Sequence, residues 1–109
     1  KKDMIISGGL NVYPREIEDV IHRVDSVREV AVVGVQDEKW GEIAIAVIVP
    51  ANGEVDIVEI DTLCREHLAT FKCPRAIYLR AEPLPRNPSG KILKRDLRPW
   101  AAERHRASA

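Results

Sequence analysis

The chain has 109 residues, which is enough for one domain with a single modest core. Its residues are 45% hydrophobic and 31% charged, a composition that excludes disordered and fibrous classes. Lys and Arg balance Asp and Glu at 17 each, so no net charge points to nucleic acid or an anionic membrane as a partner. The charge is uneven, however, because residues 72–106 hold ten Lys and Arg residues, with His105 as a partial cation, against three acids. These ten are Lys72, Arg75, Arg80, Arg86, Lys91, Lys94, Arg95, Arg98, Arg104 and Arg106.

The cysteine and histidine positions predict neither a metal site nor a disulfide framework. Cys64 and Cys73 lack the spacing of metal ligands, and the three histidines are scattered. We therefore expect a reduced, cytoplasmic protein. No apolar run reaches membrane-spanning length and no signal peptide is expected. The first residue is Lys1 and not Met, so we interpret the chain as a fragment of a longer protein.

The first half of the chain predicts a hairpin, a helix and two strands. Residues 4–6 are a short apolar run, which a glycine-rich turn joins to residues 11–13. Pro14 then begins a helix that ends near Val24. The helix has a buried stripe formed by Ile17, Val20, Ile21 and Val24. Residues 27–35 and 43–49 are rich in β-branched and small apolar residues, which favours an antiparallel pair of strands.

The second half predicts a helix over residues 57–68, a third strand over 76–79 and a last helix from Ile92 to Trp100 or beyond. Residues 101–109 are polar, and we expect them to fray. The predicted fold is α+β, with a central three-stranded sheet covered by two to three helices and a short N-terminal two-stranded hairpin.

The segment from Leu84 to Ile92 has its own chemistry. Pro85 and Pro88 each lack an amide donor, so this segment is neither helix nor central strand. Gly90 permits a tight turn, and Lys91 follows it directly. A single ammonium on a stiff loop can bring a positive charge to a phosphate or a developing oxyanion. The alternative is a surface loop with a solvated lysine.

Three segments of the sequence, in order, carry a resemblance to a known family. They are KDMIISGGLNVYPREIE at residues 2–18, DEKWGE at 37–42 and LPRNPSGK at 84–91. Together they resemble the C-terminal domain of the adenylate-forming (AMP-binding) enzymes, specifically the acyl-CoA synthetases (fatty-acid–CoA ligases). The resemblance covers residues 1–100, which would form the mobile C-terminal lid.

The resemblance implies a two-step reaction. An ATP-dependent ligase of this family, using Mg²⁺ with its ATP, converts a carboxylic acid to an acyl-adenylate and then transfers the acyl group to CoA. A fatty acid is the leading substrate class, and aryl acids are the alternative. The N-terminal domain that holds ATP and the acid is absent from this chain, so we expect the fragment alone to bind no cofactor tightly and to be inactive.

Two residues acquire roles in adenylation and domain rotation through the resemblance. Lys91 matches the family's catalytic lysine, and an acetyltransferase that modified it would remove its charge and stop adenylation. Lys2 matches the hinge between the two domains, although a charged terminal residue is the alternative. Ile6 stands where some relatives carry a second functional lysine.

The resemblance also implies a CoA site. A glycine loop would line the pantetheine tunnel, and a basic segment would face the CoA nucleotide. The residues are Gly8, Gly9, Leu10, Arg65, Lys72, Cys73, Pro74 and Arg75. A simple hairpin turn and a solvated basic face are the alternatives for these two groups. We interpret Cys73 as structural, and Trp40 as a packing residue in a turn.

Two other functions are compatible with the residues alone. The basic C-terminal third could belong to a free-standing module that binds an anion or RNA, but Tyr78 is the lone candidate for base stacking on the predicted strands, so no nucleic acid is expected. A protein-interaction domain of similar fold would leave Lys91 replaceable.

Overall fold

A computed structural model describes residues 3–108, so the predicted hinge residue Lys2 lies outside the described part. The strands are β1 (Ile5–Ser7), β2 (Leu10–Val12), β3 (Val27–Asp37), β4 (Gly41–Pro50) and β5 (Ala76–Leu79), and the helices are α1 (Pro14–Ile21), α2 (Ile57–His67) and α3 (Lys94–Ser108). A 3₁₀ turn, Thr70–Lys72, connects α2 to β5.

Local sequence explains where the first two helices begin. Pro14 occupies the first turn of α1, where its missing amide hydrogen costs nothing. The helix ends at Ile21, before the predicted end at Val24. Asp56 caps α2, because its side chain accepts hydrogen bonds from the Val58 and Glu59 amides at 3.0 and 3.3 Å.

The strands form one five-stranded sheet and not a three-stranded sheet with a separate hairpin. β3 and β4 form the long antiparallel ladder, and β5 pairs in parallel with β4 from Ile45 to Ile48. The β1–β2 hairpin joins the same edge of β4, where Ser7 pairs with Gly41. β5 does not extend to the Gly41 end of β4, and there the hairpin supplies the hydrogen-bond partner. The predicted α+β class is confirmed with a larger sheet.

The two faces of the sheet carry separate cores. Helices α1 and α2 cover one face, around Ile17, Ile21 and Ile60. Helix α3 covers the other, where Leu84, Leu97 and Ala101 pack on the strands. Because β3 and β4 are buried on both faces, their sequences are continuous apolar runs without polar alternation.

The predicted frayed tail is instead the second half of α3, which continues to Ser108. Ala101 is fully buried against the sheet. Tyr78 on β5 holds the last turns, because its hydroxyl lies 2.6 Å from His105 Nδ1 and 2.8 Å from Ser108 Oγ. The folded domain therefore extends beyond the predicted boundary at residue 100.

Neither a membrane-spanning helix nor a metal cluster is found in the described range. None of the helices within residues 3–108 has the length and apolar character needed to cross a membrane. Within the same range no group of His, Cys, Asp and Glu side chains is arranged to hold a metal ion.

Candidate functional site

The loop that carries Lys91 is a closed turn. Gly90 has a φ of 88°, the left-handed conformation that glycine adopts at little cost, and its amide donates to the Asn87 carbonyl at 2.9 Å. The Asn87 side chain accepts from the Lys91 amide at 2.9 Å. The Lys91 side chain is exposed, and its amine has no partner among residues 3–108. The turn therefore fixes the backbone of this lysine while its charge stays available.

A second feature is a surface groove of about 630 Å³ near the opposite end of the sheet. The Arg75 guanidinium lies over the Trp40 ring, 4.1 Å from its centroid, in a cation–π contact. The lining residues are Trp40, Arg65, Thr70, Phe71, Cys73, Pro74 and Arg75. The groove thus combines aromatic surface with two guanidinium groups, which suits a ligand with a planar ring and phosphates.

The glycine turn of the β1–β2 hairpin lies against the same tryptophan. The Gly8 amide donates to the Trp40 carbonyl at 2.8 Å. A Cβ atom on Gly8 would lie 2.7 Å from Trp40 Cε3, so only glycine fits there without displacing the ring. Gly9 has open space around it, and Leu10 is 48% exposed. Trp40 therefore both packs on the turn, as predicted, and lines the groove.

The other residues predicted to face CoA are divided between the groove and the surrounding structure. Arg65 lines the groove, although its Nε also donates to Asp61 at 3.0 Å. Lys72 does not line it, since its amine forms an ion pair with Glu16 at 3.3 Å. Cys73 and Pro74 line the groove, although Cys73 is mostly buried and its thiol contacts the Ala69 carbonyl at 3.7 Å.

Both cysteines are chemically unreactive in this setting. Burial raises the pKa of the Cys64 thiol to about 11 and also raises the pKa of Cys73. Because the thiolate is the reactive form, neither side chain is a nucleophile near neutral pH. This agrees with the structural role predicted for Cys73.

Phe71, together with Thr70, is a lining residue that sequence reasoning missed. Its ring is 46% exposed, which is uncommon for a large apolar side chain. It stands beside the Lys72-Cys73-Pro74-Arg75 segment, and this position next to a basic run was the available signal.

The lysine loop and the groove are anchored at opposite ends of β4. The loop is attached through the Leu84 amide, which donates to Glu29 Oε1 at 3.0 Å, and Glu29 pairs with Val49. The groove lies beside Trp40, which precedes Gly41 at the start of β4. At about 3.3 Å per residue, the two anchors are roughly 25 Å apart along the strand.

These features define the class of protein: a small α+β domain that presents an exposed lysine loop and a separate aromatic and basic groove, as expected for the C-terminal domain of an adenylate-forming enzyme. The chain belongs to the AMP-binding enzyme C-terminal domain family, whose sequence profile matches residues 16–91.

Curated relatives and solved structures agree with this membership. The chain is 57% identical over 97 residues to the long-chain-fatty-acid–CoA ligase FadD13 of Mycobacterium tuberculosis, covering 89% of this chain and 19% of the ligase. It is 45% identical over 104 residues to the 2-succinylbenzoate–CoA ligase of Bacillus cytotoxicus, covering 95% and 21%. A fatty acyl CoA synthetase structure from M. tuberculosis superimposes with a TM-score of 0.85 at 53% identity, covering 93% of this chain and 20% of that one. The chain thus spans about a fifth of the length of these relatives.

Proposed function

We propose that this domain is the mobile C-terminal part of an ATP-dependent, AMP-forming acyl-CoA ligase, in which Lys91 serves the adenylation step. The observation that carries the proposal is the exposed Lys91 amine, which has no partner within the described residues and lies on a loop whose backbone is fixed by hydrogen bonds. ATP and the acid bind in an N-terminal domain that lies outside this chain. In this proposal Mg²⁺ enters bound to ATP.

In the first half-reaction, a carboxylate oxygen of the acid attacks the α-phosphorus of ATP. The new C–O–P bond forms as the bond to the leaving pyrophosphate breaks, and negative charge builds on the α-phosphate and on the leaving group. Lys91, delivered when the domain closes, stabilises that charge and offsets the repulsion between the two anions. It transfers no proton and keeps its positive charge throughout.

In the second half-reaction, the CoA thiol attacks the acyl carbonyl and AMP leaves. We assign the groove around Trp40 and Arg75 to the CoA nucleotide, because guanidinium groups bind phosphate oxygens and an indole offers a stacking surface. The turn at Gly8 and Gly9 fits a pantetheine arm that passes close to the backbone.

The substrate class follows from the relatives. One relative is named for long-chain fatty acids and another for 2-succinylbenzoate, so a carboxylic acid is the shared chemistry. We assign a fatty acid, because the more similar of these two relatives acts on one. Free, buried cysteines agree with a cytoplasmic reaction. Acetylation of Lys91 remains a prediction.

The basic C-terminal third gives little support to an RNA-binding function. Several of its cations are already paired with carboxylates inside the domain. These pairs are Arg80–Glu82, Arg86–Glu29, Lys94–Glu18 and Arg106–Glu103. An RNA site needs unpaired charge along the backbone path, together with aromatic faces for the bases.

Replacing Lys91 with Ala in the full-length protein tests the proposal. We expect the rate of acid-dependent pyrophosphate release to fall about 10²–10³-fold, because one contact to the transition-state charge is lost. Thioester formation from supplied acyl-adenylate and CoA should keep its rate. Arg15→Ala is the control, since this exposed cation pairs with Asp19 on the same helix. Equal pyrophosphate release by the Lys91→Ala variant and the unmodified protein would overturn the proposal.

A further inference from the structure

Arg86 and Glu29 form the most developed polar contact outside the features assigned above. Arg86 Nη2 lies 2.6 Å and Nε 3.2 Å from the same Glu29 oxygen, Oε2. The second Glu29 oxygen accepts from the Leu84 amide at 3.0 Å. The Glu29 side chain is only 14% exposed, so its contact is shielded more than an ordinary surface ion pair.

The same arginine reaches the peptide bond before Lys91. Arg86 Nη1 donates to the Gly90 carbonyl at 2.6 Å, and Gly90 is the residue that precedes Lys91. Arg86 also pairs with Ile92 in an isolated antiparallel bridge. The guanidinium therefore closes the base of the turn and links it to a carboxylate on the sheet.

A β-bulge aims Glu29 at the loop. The β3–β4 register shifts between Val27 and Glu29, which leaves Arg28 as the extra residue. Val27 packs with the core under α1 and α2, whereas Glu29 contacts Leu84 of the opposite core. In a regular strand, Val27 and Glu29 would lie on the same face of the sheet. The bulge places them on opposite faces and so directs Glu29 toward the loop.

The charge state of Glu29 fits this contact. Burial alone would raise the pKa of its carboxyl, but hydrogen bonds from Arg86 and the Leu84 amide outweigh burial and lower that pKa below its ordinary value. Glu29 is thus ionised at neutral pH and can accept all three hydrogen bonds at once.

We propose that Glu29 and Arg86 are positioning residues for Lys91, which fix the loop on the sheet so that the ammonium reaches the reacting phosphate when the domain closes. This inference rests on the proposed adenylation role of Lys91. In this proposal neither residue touches the substrate. Glu29 holds the Arg86 guanidinium, which in turn holds the Gly90 carbonyl. These contacts position the backbone of Lys91.

Arg86→Met in the full-length protein tests the inference, because Met keeps an unbranched apolar stem and removes the guanidinium donors. We expect adenylation to slow by about 10- to 100-fold, the effect of a small misplacement of a catalytic group. Thioester formation from supplied acyl-adenylate should be unchanged, and a general folding defect would lower both rates. Arg86→Lys should fall in between, because an ammonium can pair with Glu29 but lacks the fork that also reaches Gly90. Arg15→Met is the matched control.

The double variant Arg86→Met with Lys91→Ala separates this inference from the proposed function. If Arg86 acts through Lys91, the double variant adenylates no more slowly than Lys91→Ala alone. If the double variant instead adenylates more slowly than Lys91→Ala by the same factor that Arg86→Met alone produces, Arg86 acts independently of Lys91, and the inference is overturned. An unchanged Arg86→Met rate beside a slow Lys91→Ala rate would overturn the inference and leave the function standing. An unchanged Lys91→Ala rate would overturn both.

Discussion

At the scale of single residues, the glycine turn at Gly8 and Gly9 shows two different reasons for glycine. Both residues have positive φ values, 57° and 81°, so any other residue is strained at either position. Only Gly8 also lies against a ring, since a Cβ there would meet Trp40 at 2.7 Å, whereas the space around Gly9 is open. Substituting each glycine in turn therefore separates the effect of the Trp40 contact from the effect of backbone strain.

We predict that Gly8→Ala destabilises the chain more than Gly9→Ala. Gly9→Ala should cost about 1–2 kcal/mol, the strain of a left-handed backbone. Gly8→Ala adds the displacement of the Trp40 ring, for a total of about 2–4 kcal/mol. Urea unfolding of the 109-residue chain, followed by tryptophan fluorescence, measures the difference. Equal losses at the two positions would mean that Trp40 moves aside at no cost.

The limits of sequence reasoning are also clearest for particular residues. Lys91 and Gly90 were predictable because their chemistry lies in adjacent positions of one motif. The Glu29–Arg86 contact joins residues 57 positions apart, and nothing local in the sequence pairs one acid with one of ten candidate cations. Lys72 was predicted to face a phosphate, but its local run of basic residues could not reveal that Glu16 on α1 lies within reach.

At the scale of elements, local patterns predicted each helix and strand better than they predicted how these elements join. The hairpin was predicted because its turn is encoded by neighbouring residues, but its attachment to β4 depends on one distant pair, Ser7 and Gly41. The second half of α3 was misread for a related reason. It holds only alanines and polar residues, and its packing depends on Ala101 and on a contact to Tyr78, neither of which gives a strong apolar stripe.

Helix α3 can be tested by placing the same charge at two positions along it. Ala101→Asp would bury a carboxylate without a partner against the sheet, and we expect a loss of at least about 3 kcal/mol in the free energy of unfolding. Ala107→Asp, at an exposed position near the helix end, should cost less than about 1 kcal/mol, which is the scale of the helix-dipole effect. Denaturant unfolding measures both variants. A small effect at both positions would support the frayed tail that the sequence predicted.

At the scale of the whole molecule, the separation of the lysine loop from the groove has a mechanical consequence. The two are anchored roughly 25 Å apart along β4, so under the proposed function they would serve their two steps from different ends of the domain. Under the proposed function, a rotation of the domain between the half-reactions would bring Lys91 to the reacting phosphate in the first step and the groove to the CoA nucleotide in the second. Lys94 on α3 forms ion pairs with Asp3 and Glu18, which fix the first described residue to the body of the domain. Under the proposed function, the hinge predicted at Lys2 would directly precede this residue.

This arrangement predicts that a variant in the groove impairs the CoA step and a variant in the lysine loop impairs the adenylation step. Arg75→Ala in the full-length protein should raise the KM for CoA by about tenfold or more, the value of one charge-assisted hydrogen bond to a phosphate. Adenylation should keep its rate, because the Arg75 side chain lies over Trp40 and away from the lysine loop. Lys91→Ala should show the reverse pattern. Steady-state kinetics with CoA as the varied substrate, beside pyrophosphate release without CoA, separates the two effects. If Arg75→Ala slows both half-reactions equally, the two ends of the sheet do not act in separate steps, and a rotating lid is no longer required.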